Sequence, residues 1–139
     1  MGTVTYDLMV RFWPTPAAAR SLPAVAERLN SLQKVVFSRT LEAVSWKNAR
    51  LVKGEPVAEV RKLKQESSND MVIPGSGSIV SQLTDAGLVD EYQFVQYPII
   101  LGKGRTMFEG VTKRPALEPT RTRSFRNGNV LLHYKPLKA

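Results

Sequence analysis

The stretch Met71–Gly87 constrains this chain more than any other. Met71-Val72-Ile73 reads as a short buried strand, and Pro74-Gly75-Ser76-Gly77-Ser78 follows as a glycine–serine loop. Ile79, Leu83 and Ala86 then recur at helical spacing up to Gly87, the expected C-terminal stop. A strand that passes into a helix through such a loop is a unit of α/β folds. Gly75 and Gly77 put no side chain in the way of an approaching anion. The first N–H groups of the helix, expected at Gly77, Ser78 and Ile79, carry about half a positive charge between them. That chemistry holds phosphate; the competing reading is an ordinary glycine-rich turn with a serine cap. The spacing is not the dinucleotide fingerprint, because a third glycine is missing and Asp90 precedes a strand instead of ending one. The Lys-Ser/Thr of a nucleoside-triphosphate loop is also absent.

The rest of the chain supplies the elements around this unit. Tyr6–Trp13 reads as a short helix stopped by Pro14 and Pro16, and Ala17–Arg20 as a linker or helix start. Ser21-Leu22-Pro23 sets a capping hydroxyl before a proline, with Val25, Leu29 and Leu32 on one apolar face beyond it. Lys34–Phe37 is predicted as a strand with the polar exit Ser38-Arg39-Thr40, and Ala49–Val52 as a second short strand. Glu55-Pro56 opens a helix with Val57, Val60 and Leu63 facing inward. Tyr92–Tyr97 is a further strand, and Pro98–Leu101 extends its apolar run. Arg121–Arg126 and Val130–Tyr134 flank Asn127-Gly128, a strong hairpin signal. The order is strand–helix–strand–helix–strand and then an antiparallel pair, so a mixed α/β sheet is expected.

Composition narrows the chemistry. The chain has 139 residues, 42% hydrophobic and 23% charged, which suits one globular domain, 1–139. It has no cysteine and a single histidine, His133. Disulfides, thiolate catalysis and cysteine-ligated metals are excluded, and no metal site is expected. His133, between Leu132 and Tyr134, reads as structural. Net charge is +8, and residues 103–139 hold nine Lys or Arg, Lys138 among them, against Glu109 and Glu118. Such an end attracts anions. Arg121, Arg123 and Arg126 could contact nucleic-acid phosphates, but Phe125 belongs to no repeated stacking pattern, so nucleic acid is not the expected partner. No apolar run approaches the roughly 20 residues of a membrane span, and the N-terminus shows no signal peptide, so a cytoplasmic protein is expected. Ser38-Arg39-Thr40, two hydroxyls and a guanidinium after a strand, could hold a phosphate monoester such as the 2′-phosphate of NADP; alone, it is a common surface turn.

Together these pieces resemble the dihydrofolate reductase superfamily, in the branch of the reductase domain of the riboflavin-biosynthesis deaminase-reductase. The resemblance runs from about Gly2 to Pro136. Its most specific part is Gly87-Leu88-Val89-Asp90-Glu91-Tyr92 leading to Tyr97-Pro98-Ile99-Ile100-Leu101-Gly102-Lys103-Gly104 and Met107-Phe108. Lys34–Leu41 and Gly75–Ser78 support it. The resemblance implies a three-layer fold with a mixed, mainly parallel central sheet and a C-terminal β-hairpin. It implies NADPH as cofactor, with Gly75, Ser76, Gly77, Ser78 and Ile79 on the pyrophosphate and Ser38, Arg39 and Thr40 on the adenosine-side phosphate. Leu101, Gly102 and Gly104 would lie near the substrate. The implied reaction is hydride transfer to a small heterocycle or sugar phosphate, in that branch 5-amino-6-(5-phosphoribosylamino)uracil.

Gly2-Thr3-Val4-Thr5-Tyr6 matches the Gly-Arg-x-Thr-Tyr helix start of such proteins, with Thr3 where Arg is usual. In them about 50–60 residues, a scale typical of two strands with their connections, precede that start. An N-terminally truncated domain is therefore expected, with sheet edges closed by a second copy: a homo-oligomer, a dimer first. Three readings follow: an NADPH-dependent reductase, a relative that binds NADPH without turnover, and a basic nucleic-acid-binding module. The catalytic acid is not identified.

Overall fold

The computed structural model describes residues 1–137; Lys138 and Ala139 lie outside the described residues. The chain forms two compact units, Met1–Val80 and Ser81–Ala139.

In the first unit, α1 (Thr3–Val10), α2 (Pro16–Ser21) and α3 (Pro23–Ser31) precede β1 (Lys34–Phe37), β2 (Ala49–Val52) and α4 (Pro56–Glu66). Proline opens three of these helices, since its fixed φ suits a first turn and its missing N–H would have no partner there. The cap of α3 differs from expectation. Leu22 takes the N-cap position and makes no side-chain cap bond, so the Ser21 hydroxyl does not serve; Ser21 is the last residue of α2. The buried residue of α3 is Ala26, while Val25 and Leu32 are exposed and only Leu29 of the predicted face packs on the core. The first helix starts at Thr3, three residues before the predicted Tyr6; Pro16, expected to stop it, opens α2, and Ala17–Arg20 takes the helical one of its two readings.

β1 and β2 pair in parallel, Phe37 opposite Val52. Residues 38–48 make the crossover without a helix, anchored by buried Trp46. Tyr6, Val36 and Trp46 form the core, with Met9, Leu29 and Leu51 packed against them. Polar groups around it are paired: Trp46 Nε1 donates to Asn30 Oδ1 at 2.6 Å, and Tyr6 Oη accepts from the Ser45 N–H at 2.8 Å. Lys34 is buried, and its ammonium donates to the carbonyls of Leu29 (2.8 Å), Asn30 (3.4 Å) and Leu32 (2.6 Å) at the end of α3. The ring of Trp46 lies 4.7 Å from the same nitrogen.

The second unit holds β3 (Tyr92–Gln96), β4 (Leu117–Ser124) and β5 (Val130–Pro136) as an antiparallel sheet in the order β3-β5-β4. The hairpin forms where Asn127-Gly128 predicted it. Phe125 N–H bonds Asn129 O, Gly128 N–H bonds Phe125 O, and the Asn129 N–H is taken by Asn127 Oδ1. The helix α5 (Gly77–Asp85), which begins in the first unit, ends here as predicted at Gly87. Leu88 N–H reaches Leu83 O and Gly87 N–H reaches Thr84 O, so its last carbonyls are satisfied, with Gly87 at φ 66°. Tyr92, Phe94, Phe108 and Tyr134 form an aromatic cluster, Leu83 is buried, and the Tyr92 hydroxyl donates to Thr84 Oγ1 at 3.0 Å.

The α/β class and the C-terminal hairpin stand, and the pairing details differ from expectation. Among the strands of the described residues, parallel pairing is confined to β1–β2. Met71–Ile73 is not a strand: no described segment pairs with it, and Val72 is 86% exposed. An apolar triplet becomes a buried strand only where two neighbours cover it. Pro98–Leu101 likewise leaves the sheet and faces solvent.

Asp85 ties the end of α5 to residues 112–113. Its carboxylate accepts the Lys113 N–H (2.8 Å), the Thr112 hydroxyl (2.8 Å) and the Thr112 N–H (3.1 Å). These bonds hold its pKa below the usual aspartate value. A carboxyl depressed in the folded state contributes stability above its unfolded pKa and loses it as pH falls through the folded value. Acid unfolding below about pH 4 is therefore expected to depend on Asp85, near the usual carboxyl pKa. Denaturant titrations of the wild type and Asp85→Asn at pH 7 and pH 3 check this: the gap between them should narrow at the lower pH.

Candidate functional site

The predicted cofactor residues all fall in the first unit. Ser38–Thr40 follows the C-terminal end of β1, and Gly77–Ile79 opens α5. What joins them is Gly2, a residue the local sequence rules did not single out for contact. Its N–H donates to Gly75 O at 3.3 Å, and it forms a parallel bridge with Phe37. A Cβ on Gly2 would stand 2.2 Å from Ser76 Oγ and 3.3 Å from Ser76 Cβ. Gly2 is also the N-cap of α1. The N-terminus of α1, the start of α5 and the end of β1 therefore converge on the Gly75–Ser76 backbone.

Within the loop, Gly75 has φ 137°, a conformation open to glycine, and a Cβ there would lie 2.7 Å from Thr5 Oγ1. The Gly75–Ser76 peptide is cis. Ser76 and Ser78 hydroxyls lie 3.2 Å apart. The loop is not sealed: Gly77 and Ser78 are exposed at the helix start. Ile79 does something different from the expectation. Its N–H bonds Ser76 O at 3.0 Å and its side chain is buried, so it anchors α5 and presents no donor to a ligand.

At the end of β1 the roles also divide. Ser38 is buried, and its hydroxyl oxygen accepts the N–H groups of Thr40 (3.2 Å) and Leu41 (3.0 Å). It builds the turn. Arg39 and Thr40 are thereby turned outward and exposed, and the Arg39 guanidinium has no ion pair among the described residues. The Ser38 N–H bonds Val52 O at 3.1 Å, which brings the residue after β2, the exposed Lys53, to the same sheet edge. Lys53 was missed. The signal was present: a cation immediately after a second strand, legible once the two strands are known to run parallel, because ligands gather at the carboxyl ends of parallel strands.

The residues expected on the substrate side, Leu101, Gly102 and Gly104, belong to the second unit, in an exposed loop between β3 and β4. His133 Nδ1 lies 2.9 Å from Glu91 Oε1, the adjacent strand's approach, while its Nε2 is buried without a partner. Arg121, Arg123 and Arg126 are exposed, and the Arg123 guanidinium lies 4.7 Å from the centre of the Phe125 ring. Among the described residues no cluster of His, Asp or Glu could hold a metal, and no helix is long and apolar enough to cross a membrane.

A glycine-lined helix start joined through Gly2 to the end of β1 is an arrangement that can receive an anion. The chain belongs to the RibD C-terminal domain family, whose pattern it matches over residues 1–131, across both units. That is a family of riboflavin-pathway-like reductases. Among curated relatives it is similar to the uncharacterized protein YyaP of Bacillus subtilis (29% identity over 133 residues, 96% of this chain and 70% of that one). It is also similar to YwjB of the same organism (25% over 99 residues, 71% and 56%). Among solved structures it resembles a riboflavin biosynthesis protein candidate from Shewanella sp. PV-4, with TM-score 0.76 and 23% identity over 99% of this chain and 72% of that one. A pyrimidine reductase-like protein from Corynebacterium diphtheriae gives TM-score 0.56 and 18% identity over 76% and 50%. At those identities the two structures speak for the fold.

Proposed function

We propose that this protein is an NADPH-dependent reductase, and that its first unit holds the coenzyme's phosphates. The observation that carries this reading is the meeting of two helix N-termini, α1 and α5, at the Gly75–Ser76 backbone, with Gly2 bridged to Phe37 at the end of β1; Arg39 follows that strand and Lys53 follows its parallel neighbour β2. Two helix ends favour a diphosphate, each adding partial positive charge that side chains need not supply. Arg39 offers a planar fork and Lys53 a point charge, the two ways proteins grip a phosphate monoester, which is what separates NADPH from NADH. The donor set thus fits the phosphates of the coenzyme. When bound, the coenzyme supplies a hydride. The protein's part is to orient it and to exclude alternatives.

The substrate class is the one the family is known by in riboflavin formation: a pyrimidine carrying a phosphoribosylamino group. Reduction there forms a C–H bond at the sugar's C1, breaks the bond from C1 to the ring oxygen, and leaves that oxygen protonated as a hydroxyl. Leu101, Gly102 and Gly104 are the residues proposed for this end.

The test is a titration of NADPH and NADH, followed by coenzyme fluorescence. NADPH is expected to bind more tightly. Arg39→Ala should weaken NADPH by about 10- to 100-fold, the scale of one charge-assisted hydrogen bond, and leave NADH almost unchanged. Lys53→Ala should act in the same direction. Binding of neither coenzyme, or a preference for NADH, would remove the proposal.

A further inference from the structure

The function proposed above leaves the arginines of β4 without a role. The register sets Arg121 opposite His133 and Arg123 opposite Leu131, and the bond from the Phe125 N–H to Asn129 O carries the pairing on to Phe125. Side chains alternate along a strand, so Arg121, Arg123 and Phe125 share one face of the sheet. It is the face turned away from Tyr92, Phe94 and Tyr134. Sequence spacing leaves Phe125 outside any stacking pattern. The fold supplies a stacking partner: the Arg123 guanidinium lies 4.7 Å from the centre of the Phe125 ring, which keeps 38% of its surface exposed.

We propose that this face of β4 binds single-stranded nucleic acid, with Arg121, Arg123 and Arg126 on phosphates and a base stacked on the Arg123–Phe125 pair. The first support is unpaired charge. All three arginines are exposed, and none has an ion pair among the described residues. The acids of this sheet are engaged elsewhere. Glu91 accepts from Gln93 Nε2 at 2.8 Å and lies 2.9 Å from His133 Nδ1, and Glu118 stands opposite Lys135 at the other end of β4.

The second support is the form of the row. Alternate residues of a strand recur about every 7 Å, close to the step between phosphates of an extended single strand. An arginine held on an aromatic ring keeps its N–H edge free for phosphate and presents its own plane to a base. Charge on an edge strand also guards against unwanted pairing, but that role needs no stack. Pro119 and the irregularity between Pro119 and Arg121 already spoil this edge for another strand. An acidic polypeptide would therefore gain no main-chain pairing here, whereas a nucleic acid needs none.

Fluorescence anisotropy of the full chain with a labelled oligothymidylate of about 15 nucleotides tests this. A micromolar Kd is expected at about 50 mM NaCl, with log K falling against log salt at a slope of about −2, as for three phosphates of a single strand. Arg121→Ala/Arg123→Ala should weaken binding at least tenfold and make the slope shallower by about 1.4. Phe125→Leu should weaken it about fivefold, the scale of one lost stack, and leave the slope unchanged. Arg61→Ala/Lys62→Ala removes the same charge from the exposed face of α4 and should bind as the wild type does. Unchanged far-UV circular dichroism shows that the exposed substitutions leave the fold intact. Absence of binding at about 50 mM NaCl would overturn the proposal. So would an equal loss in the α4 variant, because binding would then follow net charge alone. Displacement by NADPH would assign the oligonucleotide to the coenzyme's phosphate site and reject this one. Equal displacement by polyglutamate at matched charge would assign the face to acidic protein, and equally tight binding of a duplex would remove the stacked base; either rejects it.

Discussion

Replacing Gly75 by valine is expected to damage both the stability and the coenzyme affinity of the protein. Gly75 sits at φ 137°, and its α-carbon faces Thr5 so closely that a Cβ would lie 2.7 Å from Thr5 Oγ1. A β-branched residue held in that region costs about 1–3 kcal/mol in backbone strain. Relief can come only by moving the loop off α1. That movement breaks the Gly2 N–H to Gly75 O bond and separates the two helix starts that the phosphate site is built from. A loss of about 2–4 kcal/mol in unfolding free energy is expected, with NADPH binding weakened tenfold or more. Urea unfolding and coenzyme titration of the same preparation measure the two effects. Gly54→Ala is the control for stability: its Cβ would meet nothing nearer than Val52 Cγ1 at 4.0 Å, so it should unfold as the wild type does. A Gly75→Val protein with wild-type stability and affinity would show that the α1 contact does not shape the loop.

Lys34→Ala is expected to destabilise the first unit strongly. The Lys34 ammonium is the partner of carbonyls at the end of α3, where a helix has no N–H of its own left to offer. Burial pushes its pKa down, yet the three carbonyl oxygens and the face of Trp46 all favour the charged form. Alanine removes the donor from the Leu29 and Leu32 carbonyls, while Asn30 O keeps its bond from Asn48 Nδ2, and leaves a hole beside the Trp46 ring. The expected loss is about 3 kcal/mol or more, from hydrogen bonds to a charged group plus the cavity. Lys34→Met separates the two causes, because it refills the space without restoring the bonds; it should recover less than half of the loss. Full recovery by methionine would mean that packing, and not the ammonium, holds α3 to β1.

These two residues show where sequence reading stops. Lys34 begins a strand of β-branched and aromatic residues, and by composition a lysine there belongs in solvent. Only the arrival of the α3 carbonyls and the Trp46 ring makes its burial tolerable. Ser38 is the reverse case. As a hydroxyl after a strand it looked like a phosphate ligand, and the fold uses it to accept two N–H groups of its own turn, leaving Arg39 and Lys53 to face outward.

What the sequence by itself determined is the punctuation of the chain. Pro23 and Pro56 begin helices, Gly87 ends one, and Asn127-Gly128 turns the hairpin, because each acts on the backbone dihedrals and hydrogen bonds of its immediate neighbours. The passage from a glycine loop into α5 was legible for the same reason. The tertiary structure alone decided which apolar runs are covered, so that Met71–Ile73 stays unpaired and Pro98–Leu101 exposed. It alone decided that Gly2 and Thr5 lie against Gly75. Burial and strand pairing depend on segments tens of residues away, and no local rule says which of them will arrive.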